Sequence, residues 1–397
     1  MQFLKANTIF DGKQYLPQSS VLVIDSQNKL KEIISETAIE KDKIEFFDGI
    51  ITPGFVNAHC HLELSHLKNK IQKHTGIPEF GKQIISQRMS GFTKEQIYEC
   101  ANNADAEMWN NGIVAVGDIS NADESFKTKQ NSKIVYHTFI EILGLNPANK
   151  DVMFDFGLTN LKLLNSLGLK GSLAPHAPYS TSLQLIDAVA QYDRENNLPF
   201  SIHNQETEEE TKFFFGHEND FKKLYDFLKL DISWFKAPGC SSLRSYIETI
   251  RDQKAILVHN TFSDQKDIQL AAEKNCFFCF CPNANLYIEN KLPNYNLFQD
   301  HISYLCIGTD SLASNGSLDL ISEANVILSH SKNFTLENVL QLLTLNGAEA
   351  LNITENFGQL LIGKNTGLNL VEVKNDQLKF IKNLIFNKYF DQFFLMM

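Results

Sequence analysis

Between residues 50 and 310 one pattern recurs eight times: a short apolar run rich in β-branched residues, then sequence compatible with a helix. The runs are Ile50–His59, Ile113–Ile119, Ile134–Ile142, Gly171–His176, Pro199–His203, Ala255–His259, Cys276–Cys281 and Tyr304–Asp310. Intervening segments such as Lys94–Asn110, Ser182–Glu195 and Leu318–Ser331 space their apolar residues three or four apart, as amphipathic helices do. Near-continuous apolar strands alternating with helices specify a parallel sheet covered by helices. Eight such units predict an α/β protein with a (β/α)8 TIM-like barrel over residues 51–350.

The flanks read differently. Residues 1–50 give short alternating stretches, Gln2–Ile9, Ser20–Ile24, Leu30–Ile34 and Ile44–Phe47, broken by Asp-Gly, Asn and Lys. Residues 351–397 return to strand-like pieces, Leu368–Val373 and Leu378–Ile381, after the glycines Gly358 and Gly363. Each flank is too small to be stable alone, so the two are expected to pair into one satellite domain. The stretch His203–Trp234, with its Glu-rich start and Phe213–Phe215, is a long insertion. It reads equally as a lid or pocket wall and as a solvated acidic helix start.

Composition removes several classes of partner. A formal net charge of −11 disfavours a nucleic-acid backbone or an anionic membrane. The N-terminus lacks the basic start, apolar core and cleavage site of a signal peptide. No run nears the ~20 apolar residues of a membrane span, and the terminal Phe-Phe-Leu-Met-Met is far too short. Seven scattered cysteines describe no disulfide framework, and Cys276-x-x-Cys279 followed by Cys281 reads as buried thiols in a strand. A cytoplasmic protein acting on a small molecule is expected.

The chemistry sits at the ends of the runs. Five of the eleven histidines fall there: His59, His61, His176, His203 and His259. A barrel gathers its functional groups at the C-terminal ends of its strands. His59 and His61 are two apart on a strand, hence on one face and about 7 Å apart. Three imidazoles and a carboxylate leave a divalent ion open to water. His59, His61, His203 and Asp310 are the expected ligands of one such ion. His259 is either a further ligand or, preferably, the group that orients the water. Glu206, three residues past His203, is the candidate proton shuttle, and Asp310 can also take a proton from the attacking water.

Each assignment has a plainer competitor. His203 or His259 alone would more often be a hydrogen-bonded core histidine, and Glu206 a helix-start carboxylate. Their joint placement favours function. His176, between two prolines, is expected to contact substrate. Glu63 and His66 are candidate substrate-binding residues or local packing. His74, His137, His217, His301 and His330 read as ordinary, and Asn283 and Asn285 as either helix caps or pocket lining.

Pro53-Gly54-Phe55-Val56-Asn57-Ala58-His59-Cys60-His61, the His203-x-x-Glu206 pair, His259 and Gly308-Thr309-Asp310-Ser311-Leu312-Ala313-Ser314-Asn315 together resemble the amidohydrolase superfamily in its deaminase and chlorohydrolase branch. The stretch from His59 to Ser65 looks closer to the aminofutalosine deaminase group than to the guanine or triazine enzymes, and the chain also resembles S-adenosylhomocysteine deaminase-like proteins. The resemblance implies a (β/α)8 barrel, a β-sandwich made from both termini, one zinc or iron ion with zinc preferred, and a homodimer. It also implies Glu206 as general acid/base, His259 and Asp310 as the groups handling water, and His176 facing substrate. Two departures stand out. Ala174-Pro175-His176 holds no lysine to bridge a second metal, and Thr366-Gly367-Leu368-Asn369 replaces the usual Ala-Asp-Leu strand. The arginines that clamp acidic substrates in some nucleoside deaminases have no obvious counterpart among Arg88, Arg194, Arg244 and Arg251.

The expected activity is hydrolysis of a non-peptide carbon–nitrogen bond by a metal-bound hydroxide, in a deaminase of an adenine-type nucleoside or other aminated heterocycle. The alternatives are a cyclic-amide or aryl-halide hydrolase of the same fold, or a catalytically silent barrel. A zinc deaminase of the nucleic-acid-editing type is rejected: His61-Leu62-Glu63 gives its H-x-E, but no P-C-x-x-C follows.

Overall fold

The structure, a computed structural model, describes residues 1–384. The terminal Phe393–Met397 stretch lies outside the described residues. Four strands come first: β1 (Gln2–Ile9), β2 (Ser20–Ile24), β3 (Leu30–Ser35) and β4 (Ile44–Pro53). Eight follow: β5 (Phe55–Cys60), β6 (Ile113–Ser120), β7 (Val135–Ile142), β8 (Lys170–Pro175), β9 (Phe200–Asn204), β10 (Ala255–His259), β11 (Phe277–Phe280) and β12 (Leu305–Ile307). The antiparallel pair β13 (Leu368–Lys374) and β14 (Gln377–Asn383) comes last.

The eight central strands form two parallel four-stranded sheets, ordered β5-β6-β7-β8 and β12-β11-β10-β9, in a TIM-barrel-like α/β fold. All six residues of β5 and all eight of β6 are buried, as expected of strands covered on both faces. A parallel bridge between Cys60 and Asp310 spans one seam between the sheets. At the other, the His203 amide donates to the His176 carbonyl at 2.9 Å. Between strands and helices lies the largest apolar cluster, with Phe200, Phe278, Phe280 and Phe298 among its fully buried side chains.

Helix Lys94–Asn110 has the bounds that its spacing predicts. Thr93 and Gln96 close a reciprocal capping box at its start, and Ala101, Ala104 and Met108 form its buried stripe. The apolar run Ile50–His59, expected as one strand, is instead two. Its first part belongs to β4, which pairs with β1 and β13; the chain then breaks at Gly54, and β5 pairs with β6. The cause is the change of partner, which periodicity does not register.

The two termini do meet, in one six-stranded sheet ordered β14-β13-β4-β1-β2-β3. It buries its own apolar cluster, including Leu4, Leu22, Ile51, Leu368 and Leu370. Among the described residues no helix is long and apolar enough to cross a membrane. The seven cysteines are unpaired, and Cys276, Cys279 and Cys281 are buried.

Candidate active site

The strand ends bring His59, His61, His203, His259, Glu206 and Asp310 into one buried cluster. Ligand atoms of His59, His61 and His203 lie within 4.8 Å of one another. Asp310 Oδ1 is 3.7 Å from His59 Nε2 and 3.5 Å from His61 Nε2. Both ring nitrogens of His59 are buried without a hydrogen-bond partner, an arrangement that costs about 1–3 kcal/mol for each unsatisfied group. A divalent cation among these atoms would satisfy one of them, Nε2, which faces Asp310. Burial, reinforced by the neighbouring imidazoles, holds His61 and His203 well below the usual histidine range. Neutral imidazoles are the form that ligates metal. Burial pulls the Asp310 carboxyl upward, but the imidazoles of His59, His61 and His259 around it hold it well below the carboxylate range. The donor set therefore fits a metal ion.

The backbone is shaped to bring these groups together. Gln205, His259 and Asp310 all adopt left-handed φ, at 48°, 77° and 54°. Non-glycine residues in that region cost of order 1–3 kcal/mol and collect at functional sites. Gly308 lets β12 approach: a Cβ there would lie 2.7 Å from both the Cβ and the carbonyl oxygen of His59. Asn57 and Thr309 exchange two hydrogen bonds, at 2.8 and 3.1 Å, and fix β5 against the Asp310 turn. Behind His61, the Leu62 amide donates to Asp118 Oδ1 at 2.7 Å. Asp118 is in turn paired with Lys129, both side chains being fully buried. Lys129 also donates to Ser120 and Thr138, at 2.8 and 3.1 Å.

Burial, then the charge of Asp310, push the Glu206 carboxyl well above the ordinary range. Its Oε1 lies 3.3 Å from His259 Nε2, and its Oε2 accepts from the Tyr179 hydroxyl at 3.3 Å. Asn285 Oδ1 sits 2.8 Å from His259 Nδ1 and takes the proton of that nitrogen, which leaves Nε2 as an acceptor toward Glu206. Burial holds His259 and His176 down to about 4.

These groups floor a cavity of about 760 Å³. His176 lines it, with Nδ1 2.5 Å from Ser180 Oγ. The insertion supplies wall: helices Glu208–Phe215 and Phe221–Phe227 pack Phe213, Phe214, Phe221 and Tyr225 together, and Leu224 and Tyr225 face the cavity. Phe213 stacks on Phe235 at 4.2 Å, behind that wall. Glu63 and His66 stand back from the cavity. Glu63 binds Arg88 and the Asn121 amide, while His66 bonds the Glu63 carbonyl at 2.9 Å and packs on Phe92.

Sequence reasoning missed Tyr179 and Arg88, and left Asn285 open between a helix cap and the pocket lining. Tyr179 and Asn285 act through partners 27 and 26 residues away. Arg88, on helix Gly76–Arg88, lines the cavity although nothing near it in sequence resembles a clamp. Of the two missed residues, only Tyr179 carried a signal, in its place three residues after His176.

A parallel α/β fold whose strand ends carry a histidine cluster that fits a metal ion, beside a buried carboxyl, has the make-up of a metal-dependent hydrolase. The signature of the amidohydrolase family matches residues 50–391, and the chain belongs to that family. It is 25% identical over 386 residues to the aminodeoxyfutalosine deaminase of a Nitratiruptor species, covering 93% of this chain and 89% of that protein. The fold superposes on Helicobacter pylori aminofutalosine deaminase in complex with methylthio-coformycin, with a TM-score of 0.80 and 24% identity over 94% of this chain and 93% of that one. It also matches an adenosine deaminase from Xanthomonas campestris with bound zinc, with a TM-score of 0.73 and 20% identity over 94% of this chain and 85% of that one. The protein is an enzyme, a metal-dependent hydrolase of carbon–nitrogen bonds.

Proposed function

We propose that the protein deaminates an adenine-type nucleoside, replacing the exocyclic amine by oxygen with one zinc ion. The observation that carries this reading is Glu206: a buried carboxyl, pushed upward by that burial, within reach of Tyr179 and His259 beside the histidine cluster and lining a cavity large enough for a nucleoside. His59, His61, His203 and Asp310 would hold the ion. When bound, such an ion lowers the pKa of a water to near neutrality and polarises the carbon under attack. Glu206 gives its proton to the ring nitrogen as water adds to the neighbouring carbon. It then recovers a proton from the adding water and passes it to the departing amine, which leaves as ammonia. Departure of ammonia requires that proton, whereas a halide leaves without one, and this separates a deaminase from a halide hydrolase. His259 presents an unprotonated Nε2 and orients the adding water. His176 faces the sugar side.

The test is ammonia release by the zinc-loaded protein from adenosine, 5′-methylthioadenosine, guanine and cytosine at equal concentration. Release from the adenine nucleosides is expected. Release from guanine or cytosine alone would overturn the nucleoside reading.

The same reading takes the two parallel sheets as arcs of one closed (β/α)8 barrel over residues 51–350. In its support, seven of the eight strands send side chains into a single cluster, among them Ala58, Ala115, Phe139, Ala174, Val258, Cys279 and Cys306. It takes residues 1–50 and 351–397 as a β-sandwich; the shared sheet and its separate apolar cluster support that assignment for the described part. Unpaired thiols agree with a cytoplasmic location.

A further inference from the structure

At the C-terminal end of β7, Glu141 faces the cavity with a carboxyl that the reaction above does not use. It is 4% exposed. Its Oε2 accepts from Asn121 Nδ2 at 2.8 Å, whereas its Oε1 is buried with no hydrogen-bond partner, 3.7 Å from His203 Nδ1. Buried carboxylate oxygens are rarely left unpaired, because the desolvation they suffer is then uncompensated. A partner arriving with the substrate resolves this.

Asn121 joins Glu141 to a second carboxyl. Its Oδ1 accepts from Arg88 at 3.3 Å and its amide donates to Glu63 Oε2 at 3.0 Å, while Arg88 donates to Glu63 Oε1. Among the described residues lining the cavity, Arg88 is the only lysine or arginine. Its guanidinium therefore already has a carboxylate partner, and two carboxyls share one cation. Beyond it the wall is apolar, with Phe80, Ile84, Met153, Phe156, Leu228 and Leu230. A carboxylate brought in by a substrate would lose its water against this wall and find the guanidinium already occupied.

We infer that Glu141 determines specificity: its free oxygen accepts a hydrogen bond from a hydroxyl or N–H of a neutral substrate, and with Glu63 already on Arg88 a substrate tail that ends in a carboxylate is rejected. The inference rests on the nucleoside-deaminase reading and names its substrate class, adenine nucleosides with an uncharged, apolar 5′-substituent.

The test compares two adenosines of nearly equal shape, one with a 5′-propylthio group and one with a 5′-(2-carboxyethyl)thio group. The zinc-loaded wild type should favour the neutral compound in kcat/KM by on the order of tenfold or more, because like charge and an unpaired buried ion both count against the acid. Glu141→Gln keeps the shape and removes the charge. It should bring the two compounds within about threefold of each other, with zinc content unchanged. A purely structural role behind His203 would depress both compounds together and leave their ratio alone, and that result overturns the inference. So does a wild type that prefers the acid. Should Glu141→Gln not fold, Glu63→Gln carries the test: by freeing Arg88 it should raise the acid relative to the neutral compound, and an unchanged ratio refutes the proposal. If neither compound releases ammonia from the wild type, the nucleoside reading itself fails and this inference falls with it.

Discussion

Lys129→Met isolates the buried ion pair behind the metal site. The side chain keeps its length and loses its charge, which leaves Asp118 as a fully buried carboxylate without a counterion. Breaking one side of such a pair costs about 3–5 kcal/mol. At roughly 2.1 cal/mol/K of unfolding entropy per residue, 397 residues give about 0.8 kcal/mol/K, so the midpoint of thermal unfolding should fall by about 4–6 °C. Asp118→Asn placed on top of Lys129→Met removes the orphaned charge while its amide oxygen still accepts from the Leu62 amide. Most of the lost stability should return. The assay is thermal unfolding of the three proteins followed by circular dichroism at matched metal loading. A Lys129→Met cost below about 1 kcal/mol refutes the reasoning, since that is no more than an exposed ion pair contributes. A double variant as unstable as the single one also refutes it, by showing that the uncompensated charge is not the cause.

Three other outcomes are expected. Glu206→Gln should keep its zinc while turnover falls by roughly 10²-fold or more; parent-like turnover would remove Glu206 as proton carrier. Gly308→Ala should lose both stability and metal affinity, because its Cβ meets His59 at 2.7 Å, and a variant that binds zinc like the parent would contradict the close approach. Burial pushes the Glu210 carboxyl up to about 7 from 4.5, although it accepts hydrogen bonds from the Gln205 and Glu206 amides at 3.1 and 3.2 Å. The folded state thus holds a proton that the unfolded chain releases. Stability relative to Glu210→Gln should accordingly fall as pH rises from about 4.5 through about 7, and urea titrations showing the opposite slope would count against it.

How far sequence reached depends on the kind of signal. Strands buried on both faces leave contiguous apolar runs, so β6, β7 and β10 lie within a residue or two of where the runs place them. The capping box of Thr93 and Gln96 fixed a helix start locally. The histidines could be grouped because a barrel converts strand ends into neighbours. Illegible was whatever depends on through-space partners or on unusual backbone. The left-handed turns at Gln205, His259 and Asp310 carry no glycine to announce them. Asn285 could have capped a helix, and its contact with His259 exists only once β10 lies beside β11. Arg88 offered no sign of a role in the cavity because its partners, Glu63 and Asn121, lie 25 and 33 positions away.

The terminal sheet has a consequence for synthesis. In it β4 lies between β1 and β13, yet Leu368 follows Pro53 by 315 residues. At 5–20 residues per second the ribosome needs roughly 15–60 s to deliver β13 after β4 has emerged. During that interval β1–β4 can pair among themselves, but one edge of β4 offers its backbone to any passing strand. The nascent chain is then open to intermolecular pairing, or in need of a chaperone, until its last tenth appears. A transcript truncated before Leu368 leaves that edge open for good, so early stop codons should yield aggregates and not a folded protein.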